Sequence, residues 1–211
     1  MTAYKLVIFD FDGTLADSAP WFISTLGGLA LKHGFKQVSR QEIDMLRGKP
    51  SREIVRYLGI RFWQMPVIAQ DLRRQSAQVA GEIPLFAGVP RLLRDVKGAG
   101  ARIAIVSSNG EETVRRVLGT SAGMVDHYVC GASLFGKAAK FRALRRTLRL
   151  HPREVLSVGD EGRDVDAARK AGFTSVGVTW GYATEAALRV AGPAHTVHKV
   201  EELAALVGGT E

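Results

Sequence analysis

Short apolar runs that end in polar or glycine residues recur along the chain and predict the strands of a buried sheet. The first run is Lys5–Phe9, which stops at Asp10. Runs of the same kind follow at Arg102–Val106, His127–Cys130, Val155–Val158 and Thr174–Val178. Their apolar residues are continuous instead of alternating with polar ones, which is typical of parallel strands covered on both faces.

Helical periodicity fills most of the segments between these strands. Val89–Val96 and Val200–Val207 each place apolar residues three and four positions apart, on one face of a helix. Strands that alternate with helices predict an α/β fold, built on a Rossmann-like parallel sheet with helices on both faces.

One stretch breaks the alternation. Between Asp17 and Pro84 no run predicts a strand, and the periodicity favours helices at Ser18–His33, Arg40–Leu46, Ser51–Leu58 and Val67–Ala80. We therefore expect residues 1–16 and 85–211 to form the α/β core, and residues 17–84 to form an inserted all-helical cap domain.

The composition agrees with one domain that carries a modest insertion. The chain has 211 residues, of which 46% are hydrophobic, and its single cysteine excludes an intramolecular disulfide framework. No apolar run reaches the roughly 20 residues that span a bilayer, and the N-terminus lacks a signal-peptide pattern. We expect a cytoplasmic protein without a membrane partner.

The charge balance is basic, with 29 Lys and Arg residues against 21 Asp and Glu residues. The basic residues occur in short groups such as Arg73-Arg74, Arg115-Arg116 and Arg142–Arg149. Such groups are typical of solvated helix faces, and we expect no nucleic-acid partner.

Polar residues that follow the predicted strands are the candidates for chemistry, because ligands of open parallel sheets bind at the carboxyl ends of strands. These residues are Asp10 and Asp12, then Ser107, Ser108 and Asn109, then Asp160, Glu161 and Asp164. Several carboxylates at one edge repel one another unless a cation neutralises them, and oxygen ligands suit Mg²⁺.

Three of these strand ends resemble motifs of the haloacid-dehalogenase-like hydrolase superfamily. Asp10–Ser18 resembles its DxDGTL motif, Ile105–Asn109 its second motif, and Gly159–Asp164 its GDxxxD motif. The resemblance covers nearly the whole chain. Within the superfamily, the resemblance is strongest to the phosphoglycolate-phosphatase-like group, whose members have a small helical cap. The segment Thr179–Tyr182 also resembles sequences of this group.

The resemblance implies a Mg²⁺-dependent phosphatase that hydrolyses a small phosphorylated metabolite through an aspartyl-phosphate. Asp10 is then the nucleophile, and Asp12 is the general acid and later the general base. The implied metal site comprises Asp10, Asp12 through its backbone carbonyl, Asp160 and Asp164.

The resemblance also implies a set of phosphate-binding groups. Ser107 is expected to bind the phosphoryl group together with the backbone amides of Phe11, Asp12 and Ser108. The third motif supplies a lysine, for which we prefer Lys137 to Lys140, because Lys137 directly follows a glycine and lies outside the predicted helix. Many relatives carry a Lys-Pro-x-Pro run at this point, which this chain lacks.

Contacts to the rest of the substrate are expected from the helical insertion. Arg47, Gly48 and Lys49 lie in a basic, glycine-containing segment that is the best candidate for substrate contact. A basic turn between two helices explains the same residues equally well.

Other functions stay open at this point. A β-phosphoglucomutase-like phosphomutase would use the same Asp10 and Asp12. A non-catalytic phosphoacceptor module would not explain the helical insertion or Asp12, and a nucleic-acid-binding relic of the fold would not need the full set of motifs. A monomer or a weak homodimer is expected.

Overall fold

A six-stranded parallel sheet forms the centre of the protein in a computed structural model that describes residues 4–131 and 136–208. Its strands are β1 (Leu6–Phe9), β2 (Arg102–Val106), β3 (His127–Val129), β4 (Val155–Gly159), β5 (Thr174–Val178) and β6 (His195–Val197). The order across the sheet is β3-β2-β1-β4-β5-β6, and all neighbouring pairs are parallel. The predicted α/β class is confirmed.

The helices follow the strands in the order expected for this class. They are α1 (Ala19–His33), α2 (Arg40–Leu46), α3 (Ser51–Tyr57), α4 (Met65–Gln78), α5 (Val89–Gly98), α6 (Glu111–Leu118), α7 (Lys137–Thr147), α8 (Gly162–Ala171), α9 (Glu185–Ala191) and α10 (Val200–Gly208). Within residues 4–131 and 136–208, no helix combines the length and hydrophobicity needed to cross a membrane.

The register of β1 brings the candidate chemistry together. Phe9, the last residue of β1, pairs with Ile105 of β2 on one side and with Val158 of β4 on the other. The three strands therefore end at nearly the same level, and the polar residues that follow them lie at one edge of the sheet, beside the point where the strand order reverses.

Both faces of the sheet are covered by apolar helix faces. Successive residues of a strand point to opposite faces, so Val7 and Phe9 belong to a larger cluster that includes residues of α5, α6 and α10. Leu6 and Ile8 belong to a second cluster, which includes residues of α7 and α8. This arrangement explains why the apolar runs of the strands are continuous.

The segment between Asp17 and Pro84 contains the four predicted helices, α1 to α4. Six of its buried apolar residues form a separate small cluster: Leu29, Ala30, Phe35, Leu46, Leu58 and Ile68. Ala80 and Ile83, near the end of the segment, belong instead to the larger cluster on the sheet. The two ends of the segment meet, because the Asp17 N–H donates to the Pro84 carbonyl at 2.9 Å. That the segment is a distinct cap domain remains a prediction.

Three local expectations were wrong. The edge strand β6 was not predicted, because it has only three residues and two of them, His195 and Thr196, are exposed. Lys137 was expected outside a helix but is the first residue of α7. The predicted third strand ends one residue early, since Cys130 lies outside β3.

Candidate active site

Asp10 directly follows β1 and is buried, with 6% of its surface exposed. Its Oδ1 atom accepts a hydrogen bond from the Phe11 backbone N–H at 2.8 Å and lies 2.9 Å from the Lys137 ammonium. Burial raises the pKa of Asp10, and the Lys137 charge opposes that effect. The ammonium therefore favours an ionised Asp10 carboxylate.

Asp12 is held differently, although it lies only two residues further. Its two carboxylate oxygens accept hydrogen bonds from Ser18 Oγ and Asn109 Nδ2, both at 2.9 Å. Burial, followed by the neighbouring Asp10 charge, raises the pKa of Asp12 to about 6. A carboxyl group with this pKa exchanges a proton close to neutral pH, as a general acid and base must.

Asp160 follows β4 and is completely buried. Thr14 Oγ1 donates to one carboxylate oxygen at 2.9 Å, and the Tyr182 backbone N–H donates to the other at 2.7 Å. The backbone packs closely here, because a side chain at either Gly13 or Gly181 would collide with the Asp160 carboxylate. Gly13 also has a φ of 75°, which favours glycine.

Asp164 lies in the first turn of α8 and is also buried. Its Oδ1 atom is 2.5 Å from the Lys137 ammonium, while its Oδ2 atom accepts the Glu161 backbone N–H at 3.1 Å. Burial disfavours a charged Lys137, but the carboxylates of Asp10 and Asp164 outweigh it, and the pKa of Lys137 is raised. Of the two candidate lysines, Lys137 is the one at the acidic cluster.

The residues present fit a divalent cation. Asp10, Asp160 and Asp164 each offer a carboxylate oxygen, and these atoms lie within 4.8 Å of one another. The Asp10 Oδ2 atom is buried and has no hydrogen-bond partner among the residues that the structure describes. Burial and the carboxylates around it raise the pKa of Asp160 well above its ordinary value, because several charged carboxylates this close repel one another. The Asp12 side chain, which bonds Ser18 and Asn109, is not part of this group.

The other predicted phosphate-binding groups lie at the same edge. Ser107 is buried at the end of β2, where its Oγ accepts the Asn109 backbone N–H at 3.0 Å. Ser108 is exposed and borders the cavity beside Asp10. The Phe11 amide, expected to bind phosphate, donates to Asp10 in this structure. Phosphate binding by these groups remains a prediction.

Glu161 and Arg163 form an ion pair beside the carboxylate cluster, and both border the same cavity. Glu161 was considered only as a strand-end residue, and Arg163 was not predicted at all. The sequence signal for Arg163 is weak, because the variable positions of a GDxxxD motif do not specify a residue type. The Arg163 guanidinium lowers the pKa of Asp10 and of Asp12, although it is not the main influence on either.

A cavity of about 1560 Å³ lies between this edge of the sheet and the helical segment, and both sides contribute lining residues. Arg47, Gly48 and Lys49 border it, as expected for substrate contacts. Arg47, however, already donates from Nε to the Tyr182 carbonyl at 2.9 Å and from Nη2 to the Gly181 carbonyl at 3.2 Å. The Lys49 ammonium lies 3.9 Å from Glu53 and is about half exposed.

Three residues that hold the site together had no predicted role. Ser18 and Asn109 position Asp12, and the Ser18 hydroxyl also lies 2.9 Å from the Tyr182 hydroxyl. Ser18 and Asn109 lie within the two quoted motif segments, so their proximity to Asp12 could have been inferred from the strand ends. Tyr182 is far from both in the sequence, and only the fold shows its contacts.

Comparison with known proteins assigns the family. The model of the family described as haloacid dehalogenase-like hydrolase matches residues 7–178. The chain belongs to this family. The resemblance inferred from the strand-end motifs is thus confirmed, as is the hydrolase class that it implies.

Two curated relatives illustrate the range of activities near this sequence. The chain is 32% identical over 191 residues to a phosphoglycolate phosphatase of Synechococcus elongatus, covering 90% of each protein. It is 35% identical over 185 residues to the tyrosine-protein kinase PtkA of Mycobacterium tuberculosis. That match covers 84% of this chain but 63% of the kinase.

Solved structures share the fold over almost the whole chain. A predicted phosphatase from Clostridium acetobutylicum superposes with a TM-score of 0.81 at 25% identity, covering 97% of this chain and 98% of that one. The haloacid dehalogenase-like protein SP0104 from Streptococcus pneumoniae superposes with a TM-score of 0.79 at 23% identity, covering 98% and 99%.

Proposed function

We propose that this protein is a Mg²⁺-dependent phosphatase that hydrolyses a small phosphate monoester through an aspartyl-phosphate on Asp10. The observation that carries the proposal is the different environment of two carboxylates at the end of β1. Asp10 lies against the Lys137 ammonium, whereas Asp12 accepts neutral hydrogen bonds and has a pKa of about 6. Pairs of carboxyl groups in unequal environments are how active sites divide nucleophile and acid–base roles.

Asp10 is the nucleophile in this mechanism. Its Oδ1 is engaged by Lys137 and the Phe11 amide, while Oδ2 has no hydrogen-bond partner in the described part of the chain. Attack of an Asp10 oxygen on phosphorus forms the aspartyl-phosphate and releases the leaving oxygen, which divides one difficult hydrolysis into two steps. Ser107 Oγ and Lys137 donate to the phosphoryl oxygens.

Asp12 moves the protons. The protonated carboxyl group donates to the leaving oxygen, and the resulting carboxylate then removes a proton from the water that hydrolyses the aspartyl-phosphate. Ser18 and Asn109 each donate to one of its carboxylate oxygens, which fixes the orientation of the side chain. They are positioning residues in this proposal.

Mg²⁺ would be held by Asp10, the Asp12 backbone carbonyl, Asp160 and Asp164. When bound, it neutralises the carboxylates and the phosphate dianion, and so permits the approach of two anions. Thr14 and the Tyr182 amide orient Asp160, and the Glu161 amide orients Asp164.

The substrate proposal is a short phospho-acid such as phosphoglycolate. The strand-end carboxylates, Ser107 and Lys137 are assigned to the phosphoryl transfer, so recognition of the leaving group falls to the other residues that line the cavity. Lys49 and Arg163 border the cavity and could bind a second anionic group of the substrate. The similarity to a phosphoglycolate phosphatase supports the same substrate class.

The experiment measures phosphate release from a panel of phosphorylated metabolites with Mg²⁺, with chelator and with neither. We expect release to require Mg²⁺ and to be fastest for short phospho-acids. Isomerised sugar phosphate without phosphate release would instead favour a phosphomutase. Transfer from ATP to a tyrosine peptide would favour the activity for which PtkA is named.

The Asp10→Asn variant tests the nucleophile. The amide does not attack phosphorus, so we expect kcat to fall at least about a thousandfold. Asp95→Asn is the matched control, because Asp95 is exposed on α5, does not border the cavity and pairs with Arg91. Near-normal turnover by Asp10→Asn would contradict the assignment.

A further inference from the structure

Two parts of the helical segment reach the Asp12 carboxyl group, one near each end of the segment. Ser18 lies directly before α1, and its Oγ donates to Asp12 Oδ1 at 2.9 Å. The other carboxylate oxygen, Asp12 Oδ2, accepts Asn109 Nδ2 at 2.9 Å, and Asn109 is in turn contacted by Ser76 of α4. Ser76 has no part in the proposed reaction.

Ser76 lies near the end of α4 and is buried, with 1% of its surface exposed. Its Oγ donates to the Asn109 Oδ1 atom at 3.0 Å, and Asn109 is also buried. The amide of Asn109 therefore has a donor at its oxygen end and the Asp12 carboxylate at its nitrogen end. Because buried polar groups need partners, these two contacts together set which end of the amide faces Asp12.

The Ser76 hydroxyl has a second acceptor, the Arg73 carbonyl of its own helix, also at 3.0 Å. Serine residues inside helices often make this local contact, which has no bearing on a distant site. The Arg73 carbonyl, however, is also the regular α-helical acceptor for the backbone N–H of Ala77. A buried amide oxygen is left unsatisfied when the side-chain donor beside it is removed, so the contact to Asn109 is the one that matters for the site.

The same side of α4 contacts both regions of the molecule. Ile68, Leu72 and Ser76 are spaced four residues apart and therefore lie on one side of the helix. Ile68 and Leu72 pack in the small cluster of the helical segment, whereas Ser76 lies at the edge of the sheet. Beside it, Arg116 Nη1 on α6 donates to the Ala77 carbonyl at 2.8 Å. Both regions thus fix the position of α4.

We infer that Ser76 is a positioning residue for proton transfer, which acts on the Asp12 carboxyl group through Asn109. This role rests on the proposed function, in which Asp12 protonates the leaving oxygen. Transfer is efficient only when the acid is aimed at the oxygen that receives the proton. Without the Ser76 hydroxyl, the Asn109 amide loses the partner at its oxygen end and is free to rotate, so one of the two contacts that orient Asp12 weakens.

The expected defect is confined to one step of the reaction. Ser76 is not one of the described residues that border the cavity, so its loss removes no contact to substrate. Lys137 and Ser107, which are assigned to the phosphoryl oxygens, do not contact it. The loss should therefore fall on protonation of the leaving oxygen, and it should grow with the basicity of that oxygen.

The test compares kcat/KM for benzyl phosphate and p-nitrophenyl phosphate. The two leaving groups are uncharged and similar in size, but the benzyl oxygen is much more basic and depends more on a proton donor. The ratio kcat/KM covers the steps up to the aspartyl-phosphate and excludes its hydrolysis. Ser76→Ala should lower kcat/KM about tenfold for benzyl phosphate and less than about twofold for p-nitrophenyl phosphate.

Ser175→Ala is the matched control. Ser175 is also buried, and its Oγ accepts the Ala194 backbone N–H at 3.2 Å, away from the cavity. This variant should leave both kcat/KM values unchanged. Melting temperatures check that every variant is folded.

Two further variants separate the hydrogen bond from packing. Ser76→Cys nearly keeps the volume of the side chain but replaces the hydroxyl with a weak donor, so it should show the same selective loss as Ser76→Ala. In the Asn109→Ala background, Ser76→Ala should cause no further loss, because the two residues act in series. Normal rates for Ser76→Cys, full additivity of the two alanine changes, or equal losses for both substrates would overturn the inference.

Asp12→Asn, measured with the same two substrates, separates this inference from the proposed function. A selective loss for benzyl phosphate in Asp12→Asn but not in Ser76→Ala would overturn the inference and leave the proposed function standing. If Asp12→Asn showed no dependence on the leaving group, Asp12 would not be the general acid, and both would fall.

Discussion

The parallel sheet and the helical segment between Asp17 and Pro84 bury their apolar residues to different extents. All four residues of β1 are fully buried, as are most residues of β2 and β4. In the helical segment, Leu58 and Ile68 are 7% and 8% exposed, and Leu31, Phe62 and Trp63 are mostly exposed. The sheet is thus a close-packed support, while the helical segment has a small core of its own.

This difference in burial indicates that the two regions have different roles. Chemistry that needs fixed geometry lies at the end of the buried strands, where Asp10 and Asp160 are held by hydrogen bonds. The wall of the cavity that could recognise a substrate lies on the less buried helices, and regions with fewer buried contacts open locally at a lower free-energy cost. The two regions meet where Arg47 bonds the Gly181 and Tyr182 carbonyls and Ser18 bonds Asp12.

Three matched leucine substitutions test the comparison directly. Leu156→Ala in β4 should lower the free energy of unfolding by about 4 kcal/mol, and Leu58→Ala in the helical segment by about 2 kcal/mol, because the looser site can relax around the cavity. Leu31→Ala, at a position that is 72% exposed, should change it by less than about 0.5 kcal/mol.

Urea unfolding measures these changes in the free energy of unfolding. Hydrogen exchange shows which region of the protein is destabilised by each substitution. Leu58→Ala should speed exchange in α1 to α4 and leave the amides of β1 and β4 protected. Equal costs for Leu58→Ala and Leu156→Ala, with exchange rising throughout, would mean that the two regions unfold as one cooperative unit.

The same contrast explains what the sequence could predict. The buried strands have long apolar runs, and their parallel order places Asp10, Ser107 and Asp160 at one edge, so the core of the site followed from the pattern. β6 was missed because an exposed three-residue edge strand carries almost no hydrophobic signal. The periodicity also gave the helices of the insertion to within about two residues.

Contacts between distant segments could not be predicted in this way. Arg47 was expected to face substrate, yet its guanidinium bonds two carbonyls more than 130 residues away. Arg163 and Tyr182 reach the acidic cluster because of how α8 and the loop after β5 fold back. Neither charge nor spacing in the sequence encodes these distances.

Burial and crowding of carboxylates at the edge of the sheet predict an unusual pH dependence of stability. The pKa of Asp12 is about 6 against an ordinary value of 3.8, so the folded protein binds more protons than the unfolded chain between these pH values. Stability from this group is present below pH 3.8 and is lost as pH rises through 6. About 1.3 kcal/mol of this stability is lost between pH 5 and pH 7, so metal-free protein should melt about 3–5 °C lower at pH 7 than at pH 5.

Scanning calorimetry with chelator, and then with Mg²⁺, measures this effect. Mg²⁺ should stabilise the protein more at pH 7 than at pH 5, since its ligands must be deprotonated. Asp12→Asn should flatten the metal-free profile, and Asp95→Asn should not. Glu42 and Asp71 titrate below this window, because their pKa values are lowered to about 2. A metal-free protein that melts higher at pH 7 than at pH 5 would contradict the prediction.

The junction between the two regions gives the smallest and most specific prediction, in which Arg47 and Lys49 have different roles. Arg47 joins α2 to the loop that holds Asp160, so Arg47→Ala should lower kcat/KM about tenfold for phosphoglycolate and for p-nitrophenyl phosphate alike. Lys49 borders the cavity with an ammonium that is about half exposed. Lys49→Ala should raise KM about fivefold for phosphoglycolate, whose carboxylate it could bind, with less than about a twofold change for p-nitrophenyl phosphate.

Arg56→Ala, on the exposed side of α3, is the control for loss of one positive charge from the same segment. If Arg47→Ala affected only phosphoglycolate, Arg47 would be a substrate contact that leaves the Gly181 and Tyr182 carbonyls when substrate binds. If Lys49→Ala affected both substrates equally, the basic residues between α2 and α3 would position the helical segment and would not contact the substrate. Recognition of the second anion would then fall to Arg163, which lies on the sheet side of the cavity, and specificity would belong to the sheet region instead of the helical segment.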